Sequence, residues 1–69
     1  LSPTQTAIVI GKGIGTLRDS PQANAHISWR VEPGVVGIID ECEKGYCRFE
    51  TNGRYGYIET SRIWGDEAL

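Results

Sequence analysis

The chain has 69 residues, a mass of 7.6 kDa and a formal net charge of −2. This length excludes a two-domain enzyme, and no apolar run approaches the roughly 18 residues that a transmembrane helix needs. The basic residues are scattered singly, whereas nucleic-acid-binding surfaces cluster their cations. We expect a single domain over residues 1–69, with a folded core at residues 7–65 and flexible ends at residues 1–6 and 66–69.

The first half of the chain predicts short strands separated by turns. Residues 7–10 form an apolar run rich in β-branched side chains, which the glycine-rich residues 11–15 end. Residues 14–18 and 27–31 alternate between two faces, as the residues of a strand do. The sequence Glu-Pro-Gly at residues 32–34 predicts a turn after the second of these segments.

The second half of the chain predicts a meander of three strands. Residues 35–42 carry the strongest strand pattern, and a tight reversal at residues 43–46 follows it. The dipeptide Asn52-Gly53 predicts the next hairpin turn, because both residues accept a positive φ. Residues 54–59 form the third strand of the meander.

These signals together predict an all-β fold. Turn signals recur about every eight to twelve residues, and no stretch holds the apolar pattern of a helix. A chain this short fits a small, strongly bent barrel of five to six antiparallel strands, in which closure protects the strand edges. Trp29 has the parity of its apolar neighbours in the strand, so we expect it in the core. The other predicted core residues are Leu17, Ile27, Val31, Val36, Ile38, Phe49, Ile58 and Ile63.

Three stretches of the chain resemble the bacterial SH3-like family. Residues 16–21 (Thr-Leu-Arg-Asp-Ser-Pro) are similar to its N-L-R-S-G-P opening, and residues 27–39 are similar to its V-I-x-x-L-x-x-G-x-x-V-x-V segment. Residues 45–49, residues 53–58 and Ile63 are similar to its G-W-x-x-V…G-R-x-G-W-V…L ending. The resemblance implies an SH3-like barrel of five to six bent antiparallel strands. It also implies a non-catalytic binding module of the bacterial cell envelope that recognises a cell-wall peptide or a protein segment.

The end of the chain also resembles eukaryotic SH3 domains. Residues 56–63 are similar to their G-Y-I-P-S-N-Y-V strand, but Glu59 replaces the proline and Arg62 replaces the second tyrosine. Of the aromatic residues that line the eukaryotic groove, only Tyr46 has a counterpart. That groove binds proline-rich peptides through packed aromatic and proline side chains, so we do not expect this chain to bind them in the same way.

The two cysteines bracket the first reversal of the meander. Cys42 and Cys47 are expected to face each other across an antiparallel pair, where close, non-hydrogen-bonded positions allow a disulfide. Free buried thiols are one alternative. Metal or redox chemistry is another, although two Cys and one His cannot fill a four-ligand zinc shell. A disulfide implies an oxidising compartment, so we expect a periplasmic or secreted bacterial protein.

No group of residues predicts a catalytic, metal or cofactor site. A phosphate loop at residues 11–15 would need a helix after it, and a two-periodic segment follows instead. His26 has no neighbouring nucleophile or orienting group. Asp40 and Glu41 point to opposite faces of a strand, so they do not share a substrate. We expect no enzyme activity, no cofactor and no bound metal.

Four aromatic residues form the predicted ligand-binding site: Tyr46, Tyr55, Tyr57 and Trp64. Tyr55 and Tyr57 share one strand face and Ile58 lies on the other, so an inward Ile58 leaves both tyrosines exposed. A cluster of exposed aromatic side chains is a natural recognition surface. The alternative is that Tyr57 and Trp64 close the ends of the barrel as part of the core.

These observations favour a binding module whose partner is a protein or a cell-wall peptide. A structural or self-associating domain, including a homo-oligomer, is the second interpretation, because an unpaired edge at residues 7–10 would invite strand addition between copies. A small nucleic-acid-binding barrel is the third, and it requires a coherent basic face. We expect no nucleic-acid partner and no membrane span.

Overall fold

The structure, a computed structural model, describes residues 5–65, and the flexible ends expected at residues 1–4 and 66–69 lie outside the described residues. Gln5 and Thr6 belong to the first strand. The strands are β1 (Gln5–Val9), β2 (Gly15–Arg18), β3 (Ile27–Val31), β4 (Val36–Glu43), β5 (Tyr46–Thr51), β6 (Arg54–Glu59) and β7 (Ile63–Gly65), and a 3₁₀ helix (Thr60–Arg62) precedes β7.

The seven strands form one antiparallel sheet in the order β3-β2-β6-β5-β4-β1-β7. No α-helix occurs in residues 5–65. The all-β class and the small SH3-like barrel are thereby confirmed. The structure has more strands than the five to six expected, because β7 has three residues and is too short for an alternating pattern to reveal it.

Both turns of the β4–β5–β6 meander consist of two residues. Lys44 and Gly45 join β4 to β5 with φ angles of 54° and 81°, and Asn52 and Gly53 join β5 to β6 with φ angles of 52° and 79°. Positive φ at both turn positions matches the right-handed twist of the flanking strands. The two predicted hairpins are therefore confirmed.

The core is centred on Phe49 of β5, whose side chain is fully buried. Four of the predicted core positions are buried, and Ile27 and Ile63 are half-buried, Ile63 against the core. Ala7 and Val9 are buried as well, because β1 lies inside the sheet between β4 and β7. The buried core cluster consists of Ala7, Val9, Leu17, Val31, Phe49 and Ile58.

The predicted orientation of β4 is wrong. Val36 and Ile38 are 55% and 48% exposed, whereas Gly37 between them is buried and Ile39 packs against the core. The ring of Phe49 occupies the space above Gly37, where an added Cβ would lie 2.6 Å from the Phe49 Cζ atom. The core is filled from β5 at this point, so the β4 residue that faces it must lack a side chain.

A β-bulge reverses the alternation of β4 after Ile39. The pairing with β5 shifts register between Ile39 and Glu41, so Asp40 is the extra residue of the bulge. Cys42 consequently points to the same side of the sheet as Ile39. A regular strand would have placed Cys42 with the exposed Ile38.

Cys42 and Cys47 form a disulfide between directly paired positions of β4 and β5, with their Cα atoms 3.9 Å apart. The predicted pairing is confirmed, and the alternatives of free thiols or a metal site are excluded for these two residues. The bond links two neighbouring strands next to the Lys44-Gly45 turn, so it holds the register that this turn establishes.

Reducing this disulfide is expected to lower the free energy of unfolding by about 2 kcal/mol, because the bond restricts the unfolded chain. Urea unfolding with and without a phosphine reductant measures the difference. A variant with Cys42→Ala and Cys47→Ala serves as the control, since the reductant has no bond to break in it. An unchanged urea midpoint after complete reduction would show that the hairpin is stable without the bond.

Candidate functional site

An open cleft of about 460 Å³ lies over strands β2, β3, β5 and β6. Its walls are the aromatic side chains of Trp29, Tyr55 and Tyr57 together with Arg18 and Arg48. The remaining lining residues are Asp19, Ser28, Gly53 and Gly56. Aromatic surface combined with a few placed polar groups is typical of a site that recognises a ligand.

Strand register places Arg18, Tyr57 and Arg48 in one row. Arg18 of β2 pairs with Tyr57 of β6, and Tyr57 pairs in turn with Arg48 of β5. Directly paired residues point to the same side of a sheet. The backbones of the two arginines are therefore about 10 Å apart, with the tyrosine between them.

Contacts with the surrounding backbone and side chains hold both arginines in place. The Nη1 atom of Arg18 donates a hydrogen bond to the carbonyl oxygen of Ala25 at 2.8 Å. The Nη1 atom of Arg48 donates to Oδ2 of Asp40 at 3.0 Å, so the bulge in β4 supplies the ion-pair partner. The Arg48 guanidinium also lies 4.6 Å from the centroid of the Tyr55 ring, a cation–π contact.

Trp29 is 43% exposed, so the prediction that it belongs to the core is wrong. Strand β3 is at one end of the sheet order and pairs with β2 alone among the described strands. Trp29 pairs with the buried Leu17 of β2, but no described strand pairs with the outer side of β3, so part of the ring stays uncovered. Val31 of the same strand is buried. The ring of Trp29 lies beneath the Arg54 guanidinium, whose Cζ atom is 4.8 Å from the ring centroid.

The hydroxyl group of Tyr57 lies next to acidic side chains of β4. It donates a long hydrogen bond to Oε1 of Glu41 at 3.4 Å. Burial raises the pKa of Tyr57 above its ordinary value of 10.0, and the negative charges of Glu41 and Glu43 raise it further. Tyr57 therefore keeps its proton well above neutral pH and remains a hydrogen-bond donor.

The structure brings together two of the four aromatic residues that were predicted as a site. Tyr55, which is 56% exposed, and the half-buried Tyr57 both line the cleft. Tyr46 is only 8% exposed, which leaves little of its side chain for a ligand. Trp64 is 67% exposed and lines a different surface, formed with β1 and β4, so it does not close the barrel as a core residue.

Arg62 stands where the eukaryotic SH3 domains that the chain resembles have a groove tyrosine. Its Nε atom donates to the carbonyl oxygen of Ile10 at 2.8 Å, and its Nη2 atom donates to that of Gly13 at 2.7 Å. The side chain thus ties the glycine-rich loop to the 3₁₀ helix. Strand β2 follows this loop, so it lacks the helix that a phosphate loop requires.

Residues 5–65 contain neither a metal-binding cluster nor a membrane-spanning helix. No three His, Cys, Asp or Glu side chains of this segment lie close enough together to hold a metal ion. None of its helices is long and apolar enough to cross a membrane. The cleft itself offers guanidinium charge, hydrogen-bond donors and aromatic surface.

Sequence reasoning missed Trp29, Arg18 and Arg48 as residues of the cleft. Alternation along β2 and β5 was a usable signal that both arginines face away from the core. Only the pairing of three strands shows that they flank the same tyrosine. No signal in the sequence marks β3 as an edge strand, so Trp29 could not be distinguished from a core residue.

Comparison with known proteins gives a match to one family. The sequence model described as the bacterial SH3 domain matches residues 11–65, a range that includes strands β2 to β7 and every residue of the cleft. Neither the curated proteins nor the solved structures gave a significant match.

Proposed function

The chain belongs to the bacterial SH3 domain family, and from this premise we propose that it is a non-catalytic binding module of the bacterial cell envelope. Its ligand is a peptide, either of the cell wall or of a partner protein. The single observation that carries the proposal is the cleft in which Arg18, Tyr57 and Arg48 stand in a row beside the exposed rings of Tyr55 and Trp29.

The dimensions and chemistry of the cleft suit a short peptide. Its volume of about 460 Å³ lies within the usual range for small-ligand sites. Exposed aromatic rings stack on aliphatic groups and on peptide planes, and Tyr and Arg are enriched among residues that dominate binding energy. The tyrosine hydroxyl and the guanidinium groups donate hydrogen bonds that peptide carbonyl and carboxylate oxygens accept.

The disulfide supports the envelope location. Such bonds persist in the periplasm and outside the cell, whereas cytoplasmic thiols are kept reduced. Cys42, one of its two partners, is exposed, so a reducing compartment would have access to the bond. We therefore propose that the domain works in the periplasm or outside the cell.

Changing Tyr55 to alanine is expected to weaken the binding of a soluble muropeptide by about tenfold, since it removes an exposed ring from the cleft wall. Amide chemical-shift changes of the isotope-labelled chain during a muropeptide titration measure the affinity and map the site. The expected shifts cluster at β2, β5 and β6.

Trp64→Ala is the matched control for this experiment. It removes an aromatic side chain that is even more exposed, at 67% against 56% for Tyr55, from a surface away from the cleft. Binding is expected to stay within about twofold of the unchanged chain. Shifts that cluster around Trp64 would contradict the proposed site. A complete lack of shifts would contradict the cell-wall ligand.

Self-association is the second candidate function, but the unpaired edge at residues 7–10 that suggested it is wrong. Residues 7–9 are not a free edge, because β1 lies between β4 and β7. The observation that favours it now is the row of Val36, Ile8 and Trp64, which are directly paired across β4, β1 and the edge strand β7. Light scattering of the unchanged chain and of Trp64→Ala tests this candidate, and a monomer at high concentration would exclude it.

A further inference from the structure

Arg18 is a half-buried cation in the cleft, and its observed hydrogen bond goes to a neutral group. Its Nη1 atom donates to the carbonyl oxygen of Ala25, and no carboxylate among residues 5–65 forms an ion pair with it. A guanidinium has five N–H donors. Because partial burial removes water from a charged group at a cost, a half-buried cation without a carboxylate partner favours an anionic ligand.

A second guanidinium group shares the cleft with Arg18. Arg48 flanks the other side of Tyr57, and within the described chain its ion pair with Asp40 occupies Nη1 alone. Arg54 lies over the ring of Trp29 but lines a different surface, with Thr51 and Asn52. Two of the seven basic residues of a chain with a net charge of −2 therefore line one cleft.

We infer that the cleft binds a carboxylate group of its peptide ligand between Arg18 and Arg48, above the ring of Tyr57. This inference rests on the proposed function and names the group that the site recognises. A guanidinium matches a carboxylate with two parallel hydrogen bonds, and such charge-assisted bonds are about twice as strong as neutral ones. Tyr55 and Trp29 then hold the apolar part of the peptide next to that group.

Acidic residues at the cleft distinguish a single carboxylate from a polyanion. Asp19 lines the cleft and accepts a hydrogen bond from Ser28, and Glu41 contacts the hydroxyl group of Tyr57. Affinity for a nucleic acid requires several phosphates to be neutralised along a continuous basic surface. The carboxylates of Asp19 and Glu41 repel a nucleic acid. They leave room for one anionic group between Arg18 and Arg48.

The direct test leaves the protein unchanged and alters the ligand. A muropeptide with free carboxylates is compared with the same muropeptide after methyl esterification, which removes the negative charge and keeps the rest of the peptide. Esterification is expected to weaken binding by about tenfold or more, the effect of losing one charge-assisted pair. The shifts of Tyr55 and Tyr57 amides report whether both ligands occupy the cleft.

A variant of the protein gives a second readout. Arg18→Gln is expected to lower the affinity for the free muropeptide by about tenfold and to leave the affinity for the ester unchanged, because the ester has no charge to lose. Lys12→Gln is the matched control. It removes the same charge from an exposed residue outside the cleft. The ratio of the affinities for the free muropeptide and for its ester is therefore expected to stay unchanged.

The outcomes separate the two proposals. If the ester binds the cleft as tightly as the free muropeptide, the carboxylate inference is overturned while the proposed function stands. If neither ligand binds, the cell-wall ligand and the carboxylate inference are overturned together. If both shift amides elsewhere, the proposed site and the carboxylate inference are overturned. If a short single-stranded RNA shifts the Tyr55 and Tyr57 amides more strongly than the muropeptide does, the site recognises phosphate and the carboxylate inference is overturned.

Discussion

Changing Phe49 to alanine is expected to lower the free energy of unfolding by about 3–5 kcal/mol. Phe49 is 0% exposed at the centre of β5, and its ring fills the space above Gly37 of β4. Because a glycine has no side chain to move into the vacated volume, the cavity stays open and the cost falls at the upper end of this range. A chain of 69 residues has a total stability of similar size, so the variant is expected to be largely unfolded.

Urea unfolding followed by circular dichroism measures this effect, and Ile38→Ala is its control. Ile38 is an apolar residue of β4 that is 48% exposed, so its loss is expected to cost less than about 1 kcal/mol. If Ile38→Ala is as destabilising as Phe49→Ala, Ile38 faces the core and the observed orientation of β4 is incorrect.

Gly37→Ala is expected to lower the free energy of unfolding by about 3 kcal/mol, although it adds a single methyl group. The new Cβ atom would lie 2.6 Å from Cζ and 3.0 Å from Cε1 of the Phe49 ring, and it would also overlap the carbonyl oxygen of Glu50. The ring is enclosed by the core and the carbonyl belongs to the neighbouring strand. Relief of the overlap therefore requires β4 and β5 to move apart.

Gly15→Ala is the matched control for Gly37→Ala. Gly15 is also a buried glycine in a strand, but its added Cβ would have the Val31 Cγ2 atom as its nearest neighbour, at 3.3 Å. A side chain can shift by the few tenths of an ångström that this contact needs, so the expected change in urea midpoint is small. Equal midpoints for Gly37→Ala and the unchanged chain would show that the Phe49 ring does not occupy the space above β4.

The hairpins and the disulfide could be predicted because their causes are local. Asn52 and Gly53 both have a positive φ, a conformation that few other residue pairs adopt without strain. The five-residue separation of Cys42 and Cys47 spans one tight reversal, and a loop of two or four residues there pairs the two cysteines directly. Neither feature depends on how the rest of the sheet is arranged.

The orientation of β4 could not be predicted, because alternation defines two faces without saying which one is buried. The sequence analysis placed Val36 and Ile38 in the core. The ring of Phe49, which comes from a different strand, instead requires the smallest residue, Gly37, to face it. The bulge at Asp40 then reverses the alternation. Cys42 therefore lies on the core side, although Val36 and Ile38, which regular alternation groups with it, do not.

The candidate site was only partly predictable for the same reason. Tyr55 and Tyr57 are placed on the exposed face by the buried Ile58 next to them. Arg18 reaches Tyr57 through a pairing between β2 and β6, strands far apart in the chain. Trp29 is exposed because β3 is at the end of the sheet.

The sequence by itself determined the all-β class, the positions of the turns and the cysteine pairing, since these follow from the backbone preferences of neighbouring residues and from short spacings. The tertiary structure alone decided which face of β4 is buried, which strand lies at the edge and which side chains form the cleft. Each of these depends on the order in which the strands pair and on the volume that a distant side chain such as Phe49 fills.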